Sequence, residues 1–178
     1  MELDAEFIAF VHRRGERHLR TAVLLTGDWH AAEDLVQSAL IRLYQAWPRL
    51  DTTDDPDAYL RRIMLNTRRS WWRSQWRREV PVDGLPESVD PADVSEQLVL
   101  SDAVRRALAT LPARQRAALV LRYFEDLPEA EVARLMGCST GSVKTHTHRG
   151  LRAMRTLLPD PLTLDGLASR GPMKGSSR

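Results

Sequence analysis

At 178 residues with 43% hydrophobic side chains, the chain has room for one medium domain or two small ones with packed cores. Lys and Arg number 26 against 24 Asp and Glu, so a net charge of +2 says less than the uneven placement of those charges. The single cysteine excludes an internal disulfide and fits a reducing cytosol, and no apolar run approaches the roughly 20 residues that span a membrane.

The N-terminal MELDAEF is acidic and lacks the basic-then-apolar order of a signal peptide. From Asp4 to about Leu25 an apolar stripe of Phe7, Phe10, Val11, Leu19, Ala22 and Val23 predicts a helix, with Gly15 as a point of interruption. Thr26-Gly27-Asp28 is a break, and Asp28 is placed to cap the next helix. His30 to Trp47 repeats Ala32, Leu35, Val36, Ala39, Leu40, Leu43 and Trp47 at helical spacing, and Pro48 stops it. Glu33, Asp34, Gln37, Ser38 and Arg42 stay outside; composition alone reads them as a solvated face.

Leu50 to Asp57 is a polar loop, and a helix can begin at Asp55-Pro56. Tyr59 to about Trp76 places Leu60, Ile63, Met64, Thr67 and Trp71 on one side. Arg62, Asn66, Arg69, Arg73 and Trp76 fall on the other, with Trp72 beside them. No acid stands between Asp57 and Glu79. Arginines beside outward tryptophans suit single-stranded nucleic acid, because guanidinium groups hold phosphates while rings stack on bases. The plainer reading keeps the tryptophans in the core and leaves the arginines to solvent.

Glu79 to Gln97 holds Pro81, Gly84, Pro86 and Pro91 with six acids and neither Lys nor Arg, the composition of a linker. Leu98–Leu111 is amphipathic, and Pro112 opens a further helix from Ala113 to Phe124. Glu129–Met136 reads as a short helix ended by Gly137, which can take positive φ. Ser139 or Thr140 then caps a helix running to about Leu158. Two helices joined by a short turn containing glycine form a helix-turn-helix.

Val143, Thr147, Gly150, Leu151, Met154 and Leu158 make the buried side of that last helix. Thr145, His148, Arg149 and Arg152 lie opposite, flanked by Lys144 and His146. No acid occurs from Val132 to Pro159. A helix this basic fits the major groove of DNA; the alternative is a solvated face in a helical bundle. After Pro159 the Gly-, Pro- and Ser-rich tail reads as loose.

The chain contains no P-loop, HExxH, GxSxG, paired CxxC or GxGxxG. His146-x-His148 has no Cys or carboxylate partner nearby in sequence and reads as DNA-facing rather than metal-binding. No catalytic residue, metal or cofactor is expected, and the chain does not read as an enzyme. The fold class is all-α: two small helical domains joined by an acidic flexible linker, the second a four-helix unit ending in the helix-turn-helix.

Three stretches, AAEDLVQSALIRLYQAW, DAYLRRIMLNTRRSWWR and LPARQRAALVLRYFEDLPEAEVARLMGCSTGSVKTHTHRGLRAMR, in this order and spacing, resemble bacterial RNA polymerase sigma factors of the extracytoplasmic-function (ECF) class. The run SWWRSQWRRE is most similar to the SigE-like subgroup. The resemblance implies a region-two domain at 1–78, a linker at 79–96, a region-four domain at 97–158 and a flexible tail at 159–178. It implies docking of Asp34, Gln37 and Arg42 on the clamp helices of the polymerase largest subunit; Ser38 stands where the family often has Glu. A second contact would be to the flap region.

Arg62, Asn66, Arg69, Trp72, Arg73 and Trp76 would hold the melted −10 element of promoter DNA. Lys144, Thr145, His148, Arg149 and Arg152 would bind the −35 element. An anti-sigma factor is a further partner that the resemblance allows, and the implied location is the bacterial cytoplasm without membrane insertion. The competing resemblance is to response-regulator transcription factors, whose DNA-binding end is similar and which VKTH fits. Those would need alternating strands and helices in the N-terminal half. A polymerase adaptor that never touches DNA is a third reading, against which both basic faces speak.

Overall fold

The computed structural model describes residues 2–51, 54–76 and 102–158, with side chains at 4–51, 54–67 and 103–158. The chain divides into two compact units, Met1–Val99 and Leu100–Arg178. Every regular element among the described residues is helical.

In the first unit, α1 (Glu2–Thr26) packs on α2 (Trp29–Ala46), and α2 packs on α3 (Pro56–Trp76). α1 runs unbroken through Gly15, where an added Cβ would meet only Val11 Cγ1 at 3.7 Å. A mid-helix glycine costs about 1 kcal/mol, and the burial of α1 on both sides of it outweighs that. Gly27, at φ 78°, turns the chain, and Asp28 caps α2 by accepting from the Ala31 amide at 2.7 Å. α2 ends at Ala46, and Trp47–Arg49 form one 3-10 turn carrying Pro48. The Trp47 ring lies 5.2 Å from Phe7 and 5.4 Å from Phe10, which ties this turn to α1.

Of the expected apolar stripes on α1 and α2, Phe10, Ala22, Val23, Ala32, Leu35, Val36, Ala39 and Leu43 are buried, while Phe7, Val11, Leu19, Leu40 and Trp47 are half-buried; burial also extends beyond the stripes. Thr21 through Leu25 are all buried, so the end of α1 is enclosed on every side. On α3, Arg61 and Leu65 are buried beside the expected Leu60, Ile63, Met64 and Thr67, and Arg61 reaches Asp55 at 3.8 Å. His18 is fully enclosed and holds Asp57.

In the second unit the order is α4 (Asp102–Thr110), α5 (Ala113–Leu119), a π-helical turn (Val120–Phe124), α6 (Glu129–Met136) and α7 (Thr140–Leu157). The buried Arg116 donates to the Leu111 carbonyl at 3.2 Å and closes the α4–α5 corner. Burial lowers the pKa of its guanidinium from the ordinary arginine value. The helix predicted to Phe124 widens at its end, where the Glu125 amide reaches back to Val120 O at 3.1 Å. Asp126, at φ 52°, then turns the chain, and Arg122 donates to the Leu127 carbonyl.

The linker residues 79–96 and the tail 159–178 lie outside the described residues.

Candidate nucleic-acid interfaces

The turn before α7 is built by local chemistry. Gly137 takes the left-handed conformation, φ 62° and ψ 45°. The Cys138 amide donates to Ala133 O at 3.0 Å and the Gly137 amide to Arg134 O at 3.3 Å. This pair of bonds is the Schellman arrangement, which satisfies the last carbonyls of α6. Of the two capping candidates it is Ser139 that acts, its hydroxyl accepting from the Ser142 amide at 3.1 Å.

Val143, Gly150 and Met154 anchor α7, and Leu158 is buried just beyond it. Thr147 and Leu151, expected on the buried side, are only half-buried. They stand at the margins of the contact. An added Cβ at Gly150 would stand 3.0 Å from Leu119 Cδ1 and 3.5 Å from Gln115 Cβ, so α5 and α7 approach closely at this point.

The opposite face carries Lys144, Thr145, His148, Arg149 and Arg152, all exposed. Thr145, His148, Arg149 and Arg152 follow the i, i+3, i+4, i+7 spacing of one helix face. Thr145 donates its hydroxyl to Gly141 O at 3.0 Å. Lys144 Nζ lies 3.7 Å from Glu129 Oε2, so an acid reaches this face from α6 although none lies nearby in sequence. His146 is half-buried; burial, then the positive charges of Arg114 and Arg149, lower its pKa from the usual 6.5. Arg114 is exposed and was not legible as part of this surface, because it comes from α5.

In the first unit α3 carries the other basic face. Arg62 and Asn66 are exposed, and the Arg62 guanidinium lies over the Tyr59 ring, 4.8 Å from its centroid. α3 remains helical to Trp76, so positions 62, 66, 69, 73 and 76 fall on one stripe of its backbone. The side chains of Arg69, Trp71, Trp72, Arg73 and Trp76 lie outside those described.

On α2, Asp34 and Gln37 are exposed, and Ile41, one turn further on the same face, is 55% exposed. Ile41 was not singled out from the sequence; an isoleucine in an apolar-rich helix gives no sign of facing outward. Arg42 is exposed but donates to Thr67 Oγ1 at 3.0 Å, joining α2 to α3. Asp34 and Gln37 therefore share a face that Arg42 borders from the α3 side.

Among the described residues no group of three or more His, Cys, Asp or Glu could hold a metal ion, and no helix is long and apolar enough to cross a membrane. The described part of residues 1–78 holds helices and none of the strands that a receiver domain would require.

Residues 10–78 match the sequence family described as "Sigma-70 region 2", and residues 101–154 match "Sigma-70, region 4". The chain is 40% identical to the RNA polymerase sigma-E factor of Streptomyces coelicolor over 150 residues, covering 84% of each protein. It is 29% identical to the ECF RNA polymerase sigma factor SigW of Bacillus subtilis over 149 residues, covering 76% of this chain and 80% of the relative. Among solved structures, the sigma factor RpoE of Bartonella quintana, in complex with the anti-sigma factor NepR, shares the fold with TM-score 0.65. The identity there is 22%, over 88% of this chain and 98% of that one. CnrH, in complex with the cytosolic domain of CnrY, aligns with TM-score 0.59 at 20% identity, over 86% of this chain and 88% of its own. Two sigma-70 regions in order, and this identity along most of a sigma-E factor, show that the chain belongs to the ECF class of the sigma-70 family and is a sigma-E-like sigma factor.

Proposed function

We propose that the two helical units divide the work of a sigma factor along their exposed faces. The protein binds core RNA polymerase, directs it to specific promoters and helps to open them. In the first unit, residues 1–78, the exposed Asp34 and Gln37 dock on the clamp helices of the largest polymerase subunit, with Arg42 at their border. Arg62 and Asn66, followed along α3 by Arg69, Trp72, Arg73 and Trp76, hold the unpaired strand of the −10 element. Residues 79–96 connect this unit to the second, residues 97–158.

In the second unit Lys144, Thr145, His148 and Arg149 read the −35 element, and Arg152, further along α7, holds phosphate. The flap region of the polymerase is the contact for this unit. The observation that carries this reading is the exposed basic face of α7, together with the exposed Arg62 and Asn66 of α3, one in each sigma region. The factor contributes binding and melting while the polymerase makes the RNA. It works where the polymerase works, in the bacterial cytoplasm, and an anti-sigma factor is a further partner within this reading.

The test is transcription in vitro with core polymerase, this protein and genomic DNA, with start sites mapped. Start sites that share two sequence elements at a fixed spacing are expected. Initiation equal to that of core polymerase alone would overturn the reading.

A further inference from the structure

We propose that Arg114 and His146 form a phosphodiester-binding site at the seam of α5 and α7, and that filling it puts a proton on His146. The inference rests on reading α7 as the promoter-binding helix and adds a contact from outside the helix-turn-helix. Gly150 brings the two helices together: the space where its Cβ would stand is 3.5 Å from Gln115 Cβ and 3.0 Å from Leu119 Cδ1. Arg114 immediately precedes Gln115 in the first turn of α5 and is exposed. His146 lies four residues before Gly150, one helical turn along α7, and is half-buried. Arg114, one residue from Gln115, and His146, one turn from Gly150, thus belong to the same α5–α7 seam, and Arg114 acts electrostatically on His146 across it.

The charges around His146 are of one sign. Arg114 acts on it from α5 and Arg149 from α7, and both disfavour its protonated form after burial has done so. Among the described residues, α4 and α6, the other helices packed on α7, supply no charge to this balance. Burial and these two positive charges thus favour the neutral imidazole in the free protein. A phosphodiester entering there brings a negative charge and acceptor oxygens. It offsets the repulsion from both arginines and favours the imidazolium. Arg149 remains at the rim, on the base-reading face, whereas Arg114 and His146 contact backbone and carry no sequence information.

The sign of the pH effect follows. The pKa of His146 is depressed in the free protein and rises when phosphate binds, so binding takes up a proton. Affinity for DNA then increases as pH falls through the bound-state value and levels off below the free-state value.

Holoenzyme reconstituted with core polymerase is titrated with duplex carrying the upstream element, across salt and from about pH 8 to about pH 6. Arg114→Gln should weaken every sequence alike and reduce the slope of log affinity on log salt by about 0.9. The parent should tighten on acidification relative to His146→Gln, by at most about tenfold per pH unit. The His146 ring resonance of the full chain should titrate at a higher pH with duplex than without. Identical pH profiles for parent and His146→Gln, together with an unchanged salt slope for Arg114→Gln, would overturn the site. If Lys144→Ala and Arg152→Ala still weaken binding in that case, only this site falls. If they too bind like the parent, the promoter-binding reading of α7 falls with it.

Discussion

His18 Nε2 stands 2.6 Å from Asp57 Oδ1, joining the middle of α1 to the first turn of α3. The second carboxylate oxygen of Asp57 lies 3.3 Å from Arg14 Nε. His18 is fully enclosed, so this carboxylate meets a polar group that water cannot reach. Asp57 also sits at the positive end of the α3 dipole. Asp57→Asn keeps the shape but loses the charge on these bonds. Equilibrium unfolding should show a loss of about 1–3 kcal/mol. A loss below about 0.5 kcal/mol would mean that the contact is incidental to stability.

Asn66 is exposed on α3 one turn after Arg62, uncharged among the arginines of that stripe, and its amide offers both donors and an acceptor to an unpaired base. Asn66→Ala should leave folding and polymerase docking intact and slow promoter opening. The loss of one base contact, about 1–3 kcal/mol, corresponds to roughly a five- to hundredfold defect on duplex template. A template already opened across the downstream element should relieve part of it. Equal activity of variant and parent on the duplex would remove Asn66 from the site.

Arg149 and Arg152 stand on the same face of α7, with Arg149 nearer its N-terminal half, the part of a recognition helix that meets base edges in helix-turn-helix proteins. Arg149→Ala should cost about 1–3 kcal/mol and relax preference at one base of the upstream element. Arg152→Ala should weaken all sequences alike and reduce the salt dependence. Binding to a panel of single-base variants separates the two, and an unaltered preference profile for Arg149→Ala would mean that α7 is turned differently about its axis.

Gly150 has a steric reason to be glycine. A Cβ there would crowd Leu119, whose side chain is enclosed in the core and has little room to move. Alanine would regain about 1 kcal/mol of helix propensity, which offsets part of that strain. Valine adds bulk without the same gain, and Gly150→Val should cost about 1–3 kcal/mol in urea unfolding. It should also weaken duplex binding, because it moves α5 off α7. Parent-like stability would show that the seam is looser than its geometry implies.

Ser139→Ala removes the cap on α7 and should cost about 1 kcal/mol, while Ser139→Asp should keep it. Thermal unfolding of the two variants, compared with the parent, checks this.

Local chemistry was legible in the sequence because it depends on neighbours along the chain. Gly137 could be read as a helix end, Asp28 and Ser139 as caps and Pro48 as a stop, since each acts within one turn of itself. The same holds for the outward faces of α3 and α7. A helix repeats every 3.6 residues, so spacing alone separates Arg62 and Asn66 from Leu60 and Met64, and Arg149 from Gly150.

Tertiary structure decided what depends on a second helix. Gly15 permits a break, but only packing keeps α1 continuous through it. His18 is given its partner only when α3 brings Asp57 to it. Arg42 is held against α3 because Thr67 lies within its reach. Glu129 and Arg114 join the surface of α7 from other helices, 15 and more residues away in the chain, as charges act through space. Sequence spacing therefore defines which side of each helix faces outward, and only the packing of helix on helix decides which charges meet there.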